Sequence, residues 1–206
     1  MKRQVAATIL VLALVTLACG QASKVITDVS ETLEATTVEA PEESKATAKP
    51  AATAKPPRGD SISQWAISAV ASSEYGASDW SAMQATGAPD TPECGDQVTA
   101  WASAESNTVE WIELTYDTPV RPTEVNIFQT YNPSQVVKVE LIDTESTYHE
   151  IYAREPELIE ECPYVISIPM VDFDYIVTGI RITIDQSVLE IGWNEIDAVE
   201  LVGVAE

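Results

Sequence analysis

Basic side chains are scarce in this chain. Its 206 residues include only 11 Lys or Arg and one His, against 33 Asp or Glu, for a formal net charge of −22. The few that exist are concentrated early: from residue 59 onward only Arg121, Lys138, Arg154 and Arg181 face 27 acidic residues. So negative a surface repels phosphate backbones and bare anionic membranes, which excludes nucleic acid as a partner. It suits solubility outside the cell, and it leaves a divalent cation as a possible counter-charge. Histidine is nearly absent too. His149 sits in a predicted strand with no serine placed beside it, there is no Gly-x-Ser-x-Gly elbow, and phosphate-cradling glycine loops are missing. An exposed strand histidine is expected. With 27 acids, some pair of carboxylates falls close together by chance, so no glycosidase dyad is assigned. The sequence reads as a noncatalytic module.

Long apolar runs are also lacking. The stretch from Val5 to Leu17, after Lys2 and Arg3, has the length of a signal-peptide core and is short for a membrane span. It ends in Leu17-Ala18-Cys19-Gly20 without an Ala-x-Ala cleavage pattern, and a Cys after a small residue there resembles the lipobox of bacterial lipoproteins. That resemblance implies residues 1–18 as a signal peptide and Cys19 as the lipidated residue. The alternative is an ordinary secreted protein. Lipidation would anchor the chain to a cell membrane, with its domain on the extracellular or periplasmic side.

Aromatic residues are absent from Gly20 to Ser61, where Thr, Ala, Glu, Lys and Pro dominate and Ala46-Thr47-Ala48-Lys49-Pro50 nearly repeats as Ala52-Thr53-Ala54-Lys55-Pro56. This composition buries too little to fold, so residues 19–62 are predicted to be a disordered tether. Residues 63–203 form the domain. No long amphipathic helix occurs in it. Short β-forming runs are predicted at Ala71–Tyr75, Thr108–Tyr116, Val125–Gln129, Val137–Leu141, Tyr148–Ala153, Tyr164–Ile168, Ile180–Asp185 and Ile196–Val202. Ser78 or Asp79 is placed to cap a brief helix over Trp80–Gln84. Ile196 and the Val199/Leu201 pair lie in opposite phases, which a bulge near Asp197 would reconcile. Frequent turns between short strands predict an all-β sandwich or jelly roll.

Cysteine is limited to three residues. With Cys19 assigned to lipid, Cys94 and Cys162 remain as an even pair in an exported domain, which suggests a disulfide; a metal–thiolate site is the alternative.

Ala85-Thr86-Gly87-Ala88-Pro89-Asp90, Thr99-Ala100-Trp101, Glu110-Trp111-Ile112-Glu113-Leu114, Val125-Asn126-Ile127 and the segment from Trp193 to Leu201 fall in an order that resembles a galactose-binding-like domain of the discoidin, or coagulation-factor type C, kind. The resemblance covers roughly 64–203. It implies an eight-stranded jelly roll that binds ligand through loops at one end and is mostly noncatalytic. Many members of that kind bind carbohydrate, and some bind phospholipid or protein; the resemblance thus implies a carbohydrate ligand, with a protein partner of adhesion or envelope assembly as the alternative. It further implies a structural calcium held by Asp90, Thr99 and Glu195, with Asp96 as an added candidate, although Ala88-Pro89-Asp90 replaces the Asp-Gly turn common in calcium-binding members. Otherwise Asp90 is a turn residue and Glu195 a surface strand position. Among aromatics near turns, Trp80 and Tyr131 are the candidate ligand platforms, with Asn132 as a hydroxyl partner. Tyr75 is a further turn aromatic, and Trp101, Trp111 and Trp193 are assigned to the core.

Overall fold

The computed structural model describes residues 59–205. The leader, Cys19 and most of the tether lie outside the described residues. Eight strands carry the fold: β1 (Ser61–Trp65), β2 (Ser68–Ala71), β3 (Val109–Tyr131), β4 (Val136–Asp143), β5 (Tyr148–Ala153), β6 (Tyr164–Pro169), β7 (Val177–Asp185) and β8 (Glu195–Ala205). All pairings between them are antiparallel, along the order β1-β8-β3-β7-β4-β5, with β2 and β6 also pairing β3.

The 23-residue β3 makes this sheet fold on itself. Two predicted strands, Thr108–Tyr116 and Val125–Gln129, are one continuous strand. Its first part pairs β2 and β7, and its second part pairs β6 and β8. Between them the register breaks, from Thr115↔Gly179 to Val120↔Val177 and again between Pro122 and Glu124. Pro119 and Pro122 stand at this change, where their missing N–H groups matter least. Ile112, Leu114 and Tyr116 from the first part and Val125 and Ile127 from the second then share one core with Ile180, Ile182, Ile184, Ile196, Val199 and Leu201. This is the expected all-β jelly roll.

The bulge is also where the phases of β8 required it. Phe128 pairs Ala198 and Gln129 pairs Ile196, so Asp197 is skipped. Ile196, Val199 and Leu201 are all fully buried as a result. Tyr116 reaches β8 as well, its buried hydroxyl donating to the Val199 carbonyl at 3.1 Å. Burial pushes that phenol well above its ordinary range. Tyr116→Phe leaves the carbonyl without this donor and is expected to cost about 1–2 kcal/mol in urea denaturation.

Several local expectations are corrected. The first strand, β1, starts at Ser61, inside the predicted tether, because its backbone pairs β8 from Ser61↔Val204 to Trp65↔Glu200. The strand predicted at Ala71–Tyr75 lies earlier, at Ser68–Ala71. The predicted helix is a 3₁₀ turn, Ala82–Ala85, with no side-chain cap, since Trp80 has φ +54 and cannot continue a helix. His149 is not exposed on its strand. Its Nε2 lies 2.8 Å from Asp143 Oδ2 and its ring stacks on Tyr175 with centroids 3.8 Å apart. Asp143 is held below the usual carboxylate range, first by this hydrogen bond.

Candidate binding cleft

Three loop segments meet at the end of the sandwich where β8 begins. Tyr75 N–H donates to Ala102 C=O at 2.9 Å, Trp80 N–H to Val98 C=O at 3.1 Å, and Ala102 N–H to Trp80 C=O at 3.2 Å. Trp101 pins this assembly. It is fully buried, exchanges backbone hydrogen bonds with Ile196, and donates its indole N–H to Ser73 C=O at 3.1 Å. Gly76 lets the loop close, because a Cβ there would lie 2.5 Å from the Asp79 carbonyl oxygen. The positive φ of Trp80 is rare for a bulky residue, and such strained backbone clusters at binding sites.

The loops border an open cleft lined by Tyr75, Trp80, Asp96, Ala102, Trp193 and Glu195. Tyr75 is 55% exposed and sits between the two indoles, edge-to-face with Trp80 at 5.2 Å and with Trp193 at 5.5 Å. The Trp80 indole donates to Asp96 Oδ1 at 2.9 Å, and the Trp193 indole to Ser103 C=O at 3.0 Å. Glu195 forms the floor, only 1% exposed, its Oε2 accepting from Gln97 N–H at 3.0 Å. Burial pushes its carboxyl up to about 8; the Gln97 N–H opposes this and the neighbouring Asp96 adds to it. Burial, with the Asp96 carboxyl beside it, thus favours the protonated form of Glu195 at neutral pH.

A buried amide layer supports the cleft from beneath. Asn194 donates through Nδ2 to Gln129 Oε1 at 3.0 Å and to the Asn132 carbonyl at 2.9 Å, and its N–H donates to Gln186 Oε1 at 2.8 Å. Gln186 in turn donates to Ser103 Oγ at 2.7 Å, and Gln135 to the Gly192 carbonyl at 2.9 Å. Such a network fixes the segment carrying Trp193 and Glu195.

The structure sorts the sequence-predicted site residues into three groups. Trp80, Asp96 and Glu195 meet in the cleft. Asp90 and Thr99 belong elsewhere. Thr99 Oγ1 lies 2.6 Å from Thr91 Oγ1, which is 3.3 Å from Asp90 Oδ1, while the Asp197 carboxylate accepts from the N–H groups of Asp90 and Thr91. Glu195 is thus neither grouped with Asp90 and Thr99 nor a surface position; Asp197, aimed by the bulge, takes the place expected for it. Tyr131 and Asn132 do not line the cleft. The Asn132 amide is not offered to solvent: at φ +41 it donates to the carbonyls of Ile191 at 2.8 Å and Trp193 at 3.0 Å. It positions the Trp193 loop.

Of the three tryptophans assigned to the core, only Trp101 is there. Trp193 lines the cleft, and Trp111 lies under the Arg181 guanidinium, 4.2 Å from its ring centroid. The expected disulfide joins Cys94 and Cys162. It anchors the loop two residues before Asp96. A second, open depression borders Asp197, Phe128, Tyr164 and three prolines. Both oxygens of its carboxylate are engaged by backbone N–H groups, so it offers less free chemistry than the cleft.

These features define a galactose-binding-like jelly roll with a loop-end cleft. The lectin domain of lectinolysin, solved with Lewis B antigen, superposes with TM-score 0.50 at 10% identity, covering 67% of this chain and 93% of that one. An F-type lectin (fucolectin) from striped bass, Morone saxatilis, superposes at 0.52 and 11% identity, covering 69% and 50%. At such identities the likeness is one of fold. Among curated proteins, none matches the sequence closely enough to count as a relative. The chain belongs to the family described as Pappalysin-1, SD scarf domain, C-terminal, whose model matches residues 55–206.

Proposed function

We propose that this protein is a noncatalytic, lipid-anchored surface protein whose jelly roll binds carbohydrate in the cleft of Tyr75, Trp80, Trp193, Asp96 and Glu195. The observation that carries the reading is the convergence of three aromatic rings and two carboxyl groups at the loop end of a rigid sandwich. Aromatic faces bury sugar C–H surface while polar groups fix orientation. Lectins occur among proteins of the same fold, in agreement with it. The anchoring part rests on the leader and Cys19. A glycan array tests the binding. Trp80→Ala or Tyr75→Ala is expected to weaken the glycan signal at least tenfold, about 1.4 kcal/mol, with the fold intact by circular dichroism. An array without signal would turn the reading toward a protein partner.

A calcium ion would be held by Asp90, Thr91, Thr99 and Asp197. Two carboxylates and two hydroxyls are hard oxygen donors, short of the six to eight calcium takes, so loop carbonyls would complete the set. Their fit rests on one observation: burial raises the Asp197 carboxyl above its ordinary value and the nearby Asp90 charge adds to the rise, a repulsion that a cation would relieve. Bound calcium would supply charge neutralisation and fix the loop. Calcium at about a hundred times its dissociation constant is then expected to add about 2.7 kcal/mol of stability, absent in Asp197→Asn. Thermal unfolding with calcium and with chelator checks it; identical curves would remove the metal.

A further inference from the structure

We propose that the free edge of β6 takes up an extended, basic segment of a partner protein as an added strand. This site is separate from the loop-end cleft and does not depend on what the cleft binds. β6 pairs only with β3, in unbroken register from Glu124↔Pro169 to Gln129↔Tyr164. In an antiparallel ladder every second residue turns its N–H and C=O away from the partner strand. The other side of β6 therefore presents a row of backbone donors and acceptors. Among the described residues, no segment but β3 hydrogen-bonds to the backbone of Tyr164–Ile168. Edges of this kind are commonly blunted by a charge, a bulge or an internal proline. Tyr164-Val165-Ile166-Ser167-Ile168 has none of these; proline stands only at its ends, as Pro163 and Pro169.

Side chains offer a seat as well. Ile166 borders a shallow depression together with Val136, Tyr152, Glu157 and Ile159, reaching from β6 to β4 and β5. Val165, 41% exposed, stands on the opposite face of the strand. An added strand sends alternate side chains to these two faces, apolar ones toward the depression and charged ones beside Val165 and Ser167. Charge sets the sign of that ligand. Glu155, Glu157, Glu160 and Glu161 precede β6 and Asp172 and Asp174 follow it, all of them exposed. Arg154 answers Glu157 at 2.6 Å and Arg121 lies 3.5 Å from Asp174. The remaining carboxylates draw a cationic chain and repel an acidic one. The same reasoning separates β6 from the other edges. β1 is also uncharged, but the chain entering it carries Lys55 and Arg58, which repel a basic ligand. β5 contains Glu150 and a register shift against β4, and β2 has only four residues. A second copy of this chain is disfavoured, because it brings the same acids to the same edge.

The test is calorimetric titration of the protein with three eight-residue peptides: alternating lysine and valine, alternating lysine and proline, and alternating glutamate and valine. The second keeps the charge of the first but lacks every other N–H, and the third reverses the charge. The lysine–valine peptide is expected to bind about tenfold more tightly than either of the others. It is also expected to slow amide hydrogen exchange within Tyr164–Ile168. Val165→Lys is expected to weaken it about tenfold by placing a like charge on the edge, whereas Val70→Lys on β2 leaves it unchanged. Both side chains are exposed, and the peptide comparison and the exchange on the unaltered protein stand even if a variant fails to fold. Equal affinity for the lysine–valine and lysine–proline peptides overturns strand addition in favour of diffuse charge attraction. Tighter binding of the glutamate–valine peptide overturns the basic ligand, and protection confined to other strands overturns the location. Protection of β6 without peptide, rising with protein concentration, assigns the edge to a second copy and overturns the partner. Absence of heat from all three peptides overturns the proposal outright.

Discussion

Between pH 5 and pH 8.5 the protein is expected to lose stability steadily, and Glu195→Gln to abolish most of that loss. The folded carboxyl of Glu195 titrates near 8, against 4.5 for its ordinary value, mainly because it is buried. Below pH 4.5 the group is protonated in both states and folding is unaffected by it. Between 4.5 and about 8 the unfolded chain has released the proton and the folded chain still holds it, so stability falls as pH rises. Each pH unit in this window is worth about 1.4 kcal/mol, which makes the full loss on the order of 5 kcal/mol. Asp197, also raised, adds in the same direction. Asp143, which is lowered, acts only in more acidic solution. Glutamine keeps the acceptor for Gln97 N–H and has no charge to bury. The variant should therefore equal the wild type near pH 5 and exceed it at pH 8.5. Urea denaturation in chelator at pH 5, 7 and 8.5 measures this; parallel decline of both proteins would show that another group is responsible.

Reduction of the disulfide is expected to cost a similar amount. Cys94 and Cys162 lie 68 residues apart, and cross-linking so long a loop removes much of the freedom of the unfolded chain. The chain-entropy relation gives about 4 kcal/mol for this separation. The double variant Cys94→Ala/Cys162→Ala should show the same shift of the urea midpoint as reductant does. Function should suffer before the fold does. Cys94 is two residues from Asp96, and Gly95 N–H donates to the Thr130 carbonyl at 2.9 Å, so a loosened loop releases the carboxylate from the Trp80 indole. An unchanged midpoint on reduction would mean that the bridge contributes nothing.

The strands were legible in the sequence because their periodicity records which face is buried. The Ile180, Ile182, Ile184 alternation marked β7, and the conflicting phases of Ile196 and Val199 marked the bulge. Fusion of two predicted strands into β3 was not legible, since Pro119 and Pro122 read locally as a turn and only pairing with β8 keeps that backbone extended. Neither was β1, whose Ser-Ile-Ser-Gln-Trp sequence gains its order from β8. The site was half legible. Trp80, Asp96 and Glu195 were each singled out, but their meeting depends on which way β8 faces after the bulge. Trp193 resembled Trp101 in sequence, and only the amide layer under its loop turns one into the cleft while the other goes to the core. Asn132 appeared exposed because a turn residue usually is; the Ile191–Trp193 loop folding over it cannot be inferred from local sequence.

The pairing of β1 with β8 has a mechanical consequence. The chain enters at Ser61 beside Val204, at one end of β8, while Glu195 and the cleft lie at the other end, roughly 33 Å away along the 11-residue strand. A load applied between the entering chain and a ligand in the cleft therefore runs along the strands. All five β1–β8 residue pairs would be sheared at once instead of peeled one by one, so the geometry opposes their separation most strongly along the strand direction.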